Sequence, residues 1–265
     1  MNKTEMLNKF STNDEERLLL ARLLDKLTLA DMRDIPAYTG FLSPKEQVLS
    51  EMLINACKVH KYIFYGGYDG AERNICVFLP QWQESQDWIS SEYCPLRVLR
   101  CFWPKEIELT HRDFLGAVLS LGIDREKIGD ILVSGDKCDI IMLEDVAEYL
   151  QYNLLKVGRA HIKSEEISSD SLCLPEKRTK IIKDTVNSLR LDAVAASGFS
   201  LARAKAAQLI LSGRVQLNHL ECIKPDRTVS AGDVISCKGY GKFILKQEAG
   251  TSKKGRIIIE IERYI

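Results

Sequence analysis

The sequence predicts an α+β protein: a helical N-terminal segment, an antiparallel sheet with helices on one face, and a small C-terminal module with its own bent sheet. Three observations carry this. Apolar spacing changes from helical to strand-like near Lys61. The polar run Glu-Glu-Ile-Ser-Ser-Asp-Ser at 165–171 then interrupts the core-type pattern. Charge also divides: the 265 residues sum to zero, yet residues 176–265 hold 17 Lys and Arg against 9 Asp and Glu. That half carries +8 and the remainder −8, a split that points to nucleic acid or another anionic surface as partner of the basic half. The expected domains are 1–60, 61–170 and 180–265, with the main boundary within 167–178.

Residues 1–60 read as helical. Thr12-Asn13-Asp14-Glu15 has the form of a capping box, and Leu18, Leu19, Leu23, Leu24 and Leu27 follow at helical spacing. Ser43-Pro44-Lys45-Glu46 is a second start signal, with Ser as N-cap, Pro at the first helical position and Glu at N3. The helix it opens is expected to run through Val48, Leu49, Met52, Leu53 and Ala56. Residues 29–41, with Pro36 and Gly40, read as a connector.

Beyond Lys61, residues 62–65 and 74–78 are short β-rich runs around Gly66-Gly67-Tyr68-Asp69-Gly70, a hairpin connection. A third run covers 96–103 and ends at Pro104. Thr110 caps a helix over 111–121, closed by Gly122. Strands are expected at 128–133 and 138–142, then a helix at 143–154 and a returning strand at 159–167. Gly116, Gly122 and Gly129 read as close-packing or turn positions.

In the C-terminal module, Leu189-Arg190-Leu191-Asp192 opens a short helix through Ala196, and Gly198-Phe199 predicts a tight turn. Ser200 is expected as N-cap of a second helix over 201–212, stopped by Gly213. Leu201, Ala204, Ala207 (or Gln208) and Leu211 form its expected core stripe, while Ala202, Ala204, Ala206 and Ala207 allow close helix approach. Strands follow at 215–218, 234–237, 240–247 and 256–261. The second helix start offers free N–H groups and a positive dipole end beside Arg203, where a phosphate can dock. Lys205, Arg214, Lys238 and Lys242 extend that face into a basic groove suited to the wide, shallow minor groove of A-form RNA. Arg203 is expected to contribute to binding with little bearing on stability. Asn218 stands at a turn, where its amide bonds its own backbone or reaches RNA. Asp192 and Asp233 read as caps or structural acceptors, and Tyr240 and Phe243 as core.

Several chemistries are set aside. His111-Arg112-Asp113 has the letters of a kinase catalytic loop, but the companion motifs are missing, and Asp113 reads as a cap for the helix begun at Thr110. Gly239-Tyr240-Gly241 lacks a third glycine and reads as a strand bend. The eight cysteines form no C-x-x-C pair and read as reduced, mostly buried hydrophobes, so no metal and no cofactor are expected. Residues 1–10 hold no apolar stretch, and no run approaches the ~20 residues that span a bilayer. A cytoplasmic protein with no membrane partner is expected.

The run Arg190-Leu191-Asp192, Gly198-Phe199-Ser200, Arg203, Ala206, Ile210, Gly213-Arg214-Val215, Asn218 and Gly232-Asp233 resembles the S-four domain, an RNA-binding module named for ribosomal small-subunit protein four. The likeness covers about residues 180–246 and brings Arg190 among the candidate RNA ligands. Ala202 stands where that family usually has Ser. His111-Arg112-Asp113-Phe114-Leu115-Gly116, the run from Leu121 to Ile131, Gly67-Tyr68 with Ala71-Glu72-Arg73, Gly239 to Phe243, and Lys254-Gly255-Arg256 are similar to the bacterial YlmH proteins.

That resemblance implies an N-terminal domain like RNA-recognition folds and a non-catalytic role on the ribosome. It implies binding of rRNA and tRNA on large subunits obstructed by peptidyl-tRNA, in rescue by C-terminal tailing, and it carries a link to cell division. A monomer is expected. S-four modules also accompany pseudouridine synthases, RNA methyltransferases and tyrosyl-tRNA synthetases. Here the only Arg-Leu-Asp lies inside the module itself, and no Gly-rich cofactor loop precedes it, so the enzyme reading is the alternative and not the expectation. A division-linked interaction protein is the third reading.

Overall fold

The computed structural model describes residues 3–59, 61–176, 178–252 and 255–264, and the chain divides into two units, Met1–Pro175 and Glu176–Ile265. Lys254 of the Lys-Gly-Arg run lies outside the described residues.

In the first unit, α1 (Lys3–Phe10) precedes α2 (Asp14–Arg33). The cap of α2 is Asn13, which accepts from the Glu16 amide at 2.9 Å, and not Thr12 as expected. Thr12 instead donates its amide and hydroxyl to the Glu16 carboxylate at 2.7 and 2.8 Å. Leu20, Leu23 and Leu24 form the buried stripe, and Leu18 is exposed. The expected connector is also corrected: α2 continues to Arg33, and β1 (Ala37–Leu42) follows. Gly40 sits inside that strand because a Cβ there would lie 2.9 Å from the Glu126 carbonyl oxygen. Next, α3 (Pro44–Ala56) starts with the reciprocal Ser43–Glu46 box that the sequence announces. Leu49, Leu53 and Ile54 are its buried apolar residues, whereas Met52 is exposed. The runs at 62–65 and 74–78 become β2 (Tyr62–Tyr65) and β3 (Asn74–Phe78), and the sheet order is β1-β3-β2. A short α4 (Ser85–Ile89) leads onward.

The rest of this unit is a split β-α-β arrangement. Its elements are β4 (Leu96–Phe102), α5 (His111–Ser120), β5 (Ile128–Ser134), β6 (Lys137–Leu143) and α6 (Glu144–Asn153). A small hairpin, β7 (Lys156–Val157) and β8 (Ala160–His161), then precedes β9 (Lys163–Ile167). The antiparallel order β5-β6-β4-β9 is that of RNA-recognition folds. Alternation decides the two faces. Leu99, Cys101, Ile131, Ile140 and Met142 meet Phe114, Val118 and Leu150 of the helices. The opposite face is also covered: Val98, Leu132, Ile141 and Leu143 pack with Phe41, Ile75, Val77 and Trp88. The loop Tyr68–Arg73 is tied down by Asp130, which accepts from the Tyr68 hydroxyl and the Glu72 and Arg73 amides. Gly129 is a close-packing position, since a Cβ would stand 2.6 Å from the Phe41 ring, but Gly116 faces open space. Asp113 caps its helix through the Thr110 amide and hydroxyl.

The second unit opens with β10 (Thr179–Val186), a strand that sequence reading left unassigned. Two helices follow, α7 (Leu191–Phe199) and α8 (Arg203–Leu211). The remaining strands are β11 (Val215–Leu217), β12 (Leu220–Glu221), β13 (Val234–Cys237), β14 (Gly241–Thr251) and β15 (Ile257–Tyr264). The sheet order is β10-β15-β14-β13-β11-β12. Ile235, Phe243, Leu245, Ile259 and Ile261 close on Val194, Ala195, Leu209 and Ile210 of the helices. The buried stripe of α8 is therefore Ala206, Leu209 and Ile210, and the expected Leu211 is exposed. Gly198 is not a turn residue. It lies in the last turn of α7, where a Cβ would meet the Phe243 ring at 2.3 Å.

Among the described residues no helix is long and apolar enough to cross a membrane, and no three His, Cys, Asp or Glu side chains gather as metal ligands. Five of the eight free cysteines are buried.

Candidate nucleic-acid interface

The Arg-Leu-Asp segment is fixed by backbone bonds to a loop. Leu191 and Asp192 donate their amides to the Arg227 and Pro225 carbonyls, and Val229 donates back to Leu189. This sets Asp192 in the first turn of α7 with its side chain only 7% exposed. Its carboxylate accepts from Nε and Nη2 of Arg190 at 3.2 and 3.1 Å, and from Nη2 of Arg203 at 3.0 and 3.1 Å. Burial raises the Asp192 pKa, but the bonds from Arg190 and Arg203 outweigh it and hold the carboxyl below its usual range. Both arginines remain near half exposed, at 42% and 49%. Two guanidiniums on one carboxylate leave a net positive group, and the Arg203 bonds to Asp192 engage Nη2 alone. The rest of its planar fork is shaped for a phosphate. Arg203 therefore shares with Arg190 the neutralisation of a buried acid, in addition to its expected part in binding.

Ser200 does not cap α8. It ends α7 in the left-handed conformation, φ 57°, with the Leu201 amide returning to the Ala196 carbonyl at 2.8 Å, a Schellman-type closure. The N-cap of α8 is Ala202, with no side-chain bond to the helix start. The expected Ser hydroxyl is thus absent from the cap, and the first amides of α8 are left for solvent or an anion. Ser200 still shares a groove of about 530 Å³ with Arg203 and Arg256 between β10 and α7. Arg256, overlooked as a ligand in sequence, donates Nη2 to the Thr185 carbonyl at 2.7 Å. Its only sequence signal is the Lys-Gly-Arg run, and nothing there predicts that β15 starts beside β10. Asp184, in the same groove, accepts from the Ser197 hydroxyl.

The other candidates lie elsewhere on the module. Arg214 donates Nη2 to the Lys238 carbonyl at 3.1 Å, joining those two cations, and a carbonyl does not neutralise them. Arg214 follows the C-terminal end of α8, a helix that rises about 12 Å from Arg203 to Leu211. Lys205 is exposed on another side of α8, with Gln208 at 3.5 Å. Lys242 alternates with the buried Phe243 and so stands on the sheet face away from the helices, its Nζ 4.9 Å from the Tyr264 ring centroid. Asn218 is spent on structure. Asn218 and His219 have φ of 49° and 67°, the two positive angles of a tight hairpin turn between β11 and β12. Its amide donates to Asp233 at 2.8 Å and accepts from the Val234 amide at 2.9 Å. The expected single groove is therefore divided: Arg190 and Arg203 meet at Asp192, Arg214 and Lys238 meet past the far end of α8, and register puts Lys242 on the same outward sheet face as Lys238.

Comparison with known proteins adds to this geometry. Residues 96–171 match the model described as a putative RNA-binding domain in YlmH, and residues 189–235 match the S4 domain. The chain is 30% identical over 249 residues to the ribosome-associated protein quality control protein P2 of Bacillus subtilis (strain 168), covering 94% of this chain and 95% of that protein. A solved structure, the cell division protein ylmH from Streptococcus pneumoniae, superposes with a TM-score of 0.50 at 22% identity, over 62% of this chain and 98% of that one.

Proposed function

The chain belongs to the YlmH family of RNA-binding proteins, and from that membership we propose that it holds structured RNA on the ribosome by the phosphates that Arg190 and Arg203 face. The observation that carries this reading is the buried Asp192 carboxylate, which holds two half-exposed guanidiniums, Arg190 and Arg203, the second of them lining a groove. Fixed forks cost less side-chain entropy on binding than free surface arginines, and they select the spaced oxygens of a sugar–phosphate backbone. The uncapped start of α8 adds N–H donors to the same place. Arg214 and Lys238 supply a second contact one helix length away, enough for separate phosphates.

The B. subtilis relative is named for ribosome-associated protein quality control, and the same setting is proposed for this chain. The RNA partners are then rRNA and tRNA of a large subunit obstructed by peptidyl-tRNA, bound by a monomer that positions RNA and performs no chemistry. The test is sedimentation in gentle lysates followed by in-cell crosslinking. Co-migration with large subunits and crosslinks near Arg190 and Arg203 support the reading. A protein that stays at the top of the gradient, or crosslinks that avoid the C-terminal unit, overturns it.

A further inference from the structure

The face of the β5-β6-β4-β9 sheet that in RNA-recognition modules meets bases is closed here along most of its length. At one end it is covered by Phe41, Ile75, Val77 and Trp88. In its middle, Arg100 and the wholly buried Asp139 form a bidentate pair at 2.7 Å, and Arg100 and Asp139 also bind the Ser171 carbonyl and the Cys173 amide of the following segment. One row beyond that pair stays open. Register sets Phe102 of β4 directly between Lys137 of β6 and Lys163 of β9.

All three lie on the face away from α5 and α6, because their neighbours Cys101 and Cys138 point into the helix-side core. Phe102 is partly exposed and belongs to neither core of the sheet. The Lys137 ammonium stands 6.0 Å from its ring centroid, at the outer limit of cation–π contact, and Lys163 is exposed. Of the nearby acids, Asp136 pairs with Lys105 at 3.7 Å, and Glu165 lies one row back, across from Arg100 in register. A ring with a cation on each side, at strand spacing of ~4.8 Å, matches a base on the ring and its flanking phosphates on the lysines.

We propose that Phe102 stacks an unpaired base of RNA while Lys137 and Lys163 hold the neighbouring phosphates. This rests on the RNA-binding reading of the chain but is independent of the Asp192 arginines. It gives the first unit its own contact, selective for single-stranded segments, beside the backbone-directed contact of the second.

The test uses the full chain with two probes of equal length, a short oligouridylate and its abasic counterpart, which keeps the phosphates and lacks the bases. Phe102→Leu preserves apolar volume but removes the aromatic plane. It is expected to weaken oligouridylate binding by about five- to fifty-fold and to leave the abasic probe unchanged, and Phe102→Trp is expected to restore binding to within about three-fold. A Phe102→Leu protein that binds oligouridylate as the wild type does, or loses both probes equally, overturns the proposal. Arg203→Ala against an RNA hairpin reports on the other reading, so either can fail alone.

Discussion

The Asp192 carboxylate accepts two hydrogen bonds from one nitrogen of Arg203, Nη2, at 3.0 and 3.1 Å, although Asp192 is buried and Arg203 is half exposed. A buried acid with an accessible partner is an unusual use of charge, because removing a carboxylate from water is costly unless its partners are close. Here the partners are Arg190 and Arg203, and the acid fixes both in place. The carboxylate is thus a positioning group, and the arginines are the surface it presents.

Asp192→Asn tests that division of labour. The substitution removes a negative charge beside the phosphate site, so charge alone predicts tighter RNA binding. Loss of the two forks' common anchor predicts weaker binding, and this is the expected result. Stability at neutral pH is expected to fall by about 2–3 kcal/mol, measured by urea unfolding, as arginines lose a buried partner. The Asp192 pKa is depressed in the folded state, so its stabilisation is present above the unfolded value and is lost as pH falls through the folded one. The variant is accordingly expected to lose part of the acid-side dependence.

Gly198→Ala is expected to destabilise the second unit by about 1–3 kcal/mol or more in thermal unfolding, since the new Cβ would lie 2.3 Å from the Phe243 ring. A Phe243→Leu partner substitution relieves the clash. Neutral behaviour of the single variant would contradict the packing described.

Much of this was legible in the sequence, and the misses have identifiable causes. The β2 and β3 runs and the Ser43–Glu46 box depend on local chemistry and appear where local chemistry puts them. The S4 signature placed Arg190, Asp192 and Arg203 in order, but spacing alone does not say that Asp192 is buried between the arginines; that follows from the Leu189–Asp192 backbone pairing with residues 225–229. Ser200 looked like a cap because Ser before an Ala-rich helix usually is one. The deciding contact, Gly198 against Phe243, joins residues 45 positions apart. β10 was hidden by its charges: as the edge strand paired to β15, it keeps Lys180, Lys183 and Asp184 in solvent. β1 was hidden by Gly40, whose reason is the distant Glu126 backbone.

Glu16 carries a pH signature in the first unit. Burial raises its pKa, but the Lys45 ion pair and the Thr12 bonds prevail and bring it from 4.5 down to about 2. A depressed folded pKa gives stability that is present above 4.5 and fades as pH drops toward 2. Glu16→Gln is expected to cost on the order of 1–2 kcal/mol at pH 7, allowing for the half-exposed Lys45, and nearly nothing at the acid limit. Urea titrations at the two extremes check this, and a pH-independent difference would count against it.

Arg214→Gln and Lys238→Gln are each expected to weaken RNA binding across all sequences and to reduce the slope of log K against log salt by about one. Asn218→Ala should instead act on folding, because its amide bridges Asp233 and Val234. A cost of about 1–2 kcal/mol in unfolding with an unchanged salt slope is the expected pattern.

The most direct test of the Asp192-held pair is the affinity of Arg203→Ala for an RNA hairpin across a salt series, compared with the wild type. The account predicts a loss of about five- to thirty-fold at moderate salt, a shallower salt slope, and only a small drop in unfolding free energy, since Arg190 still serves Asp192. Equal affinities at low salt, with parallel slopes for the two proteins, would contradict it.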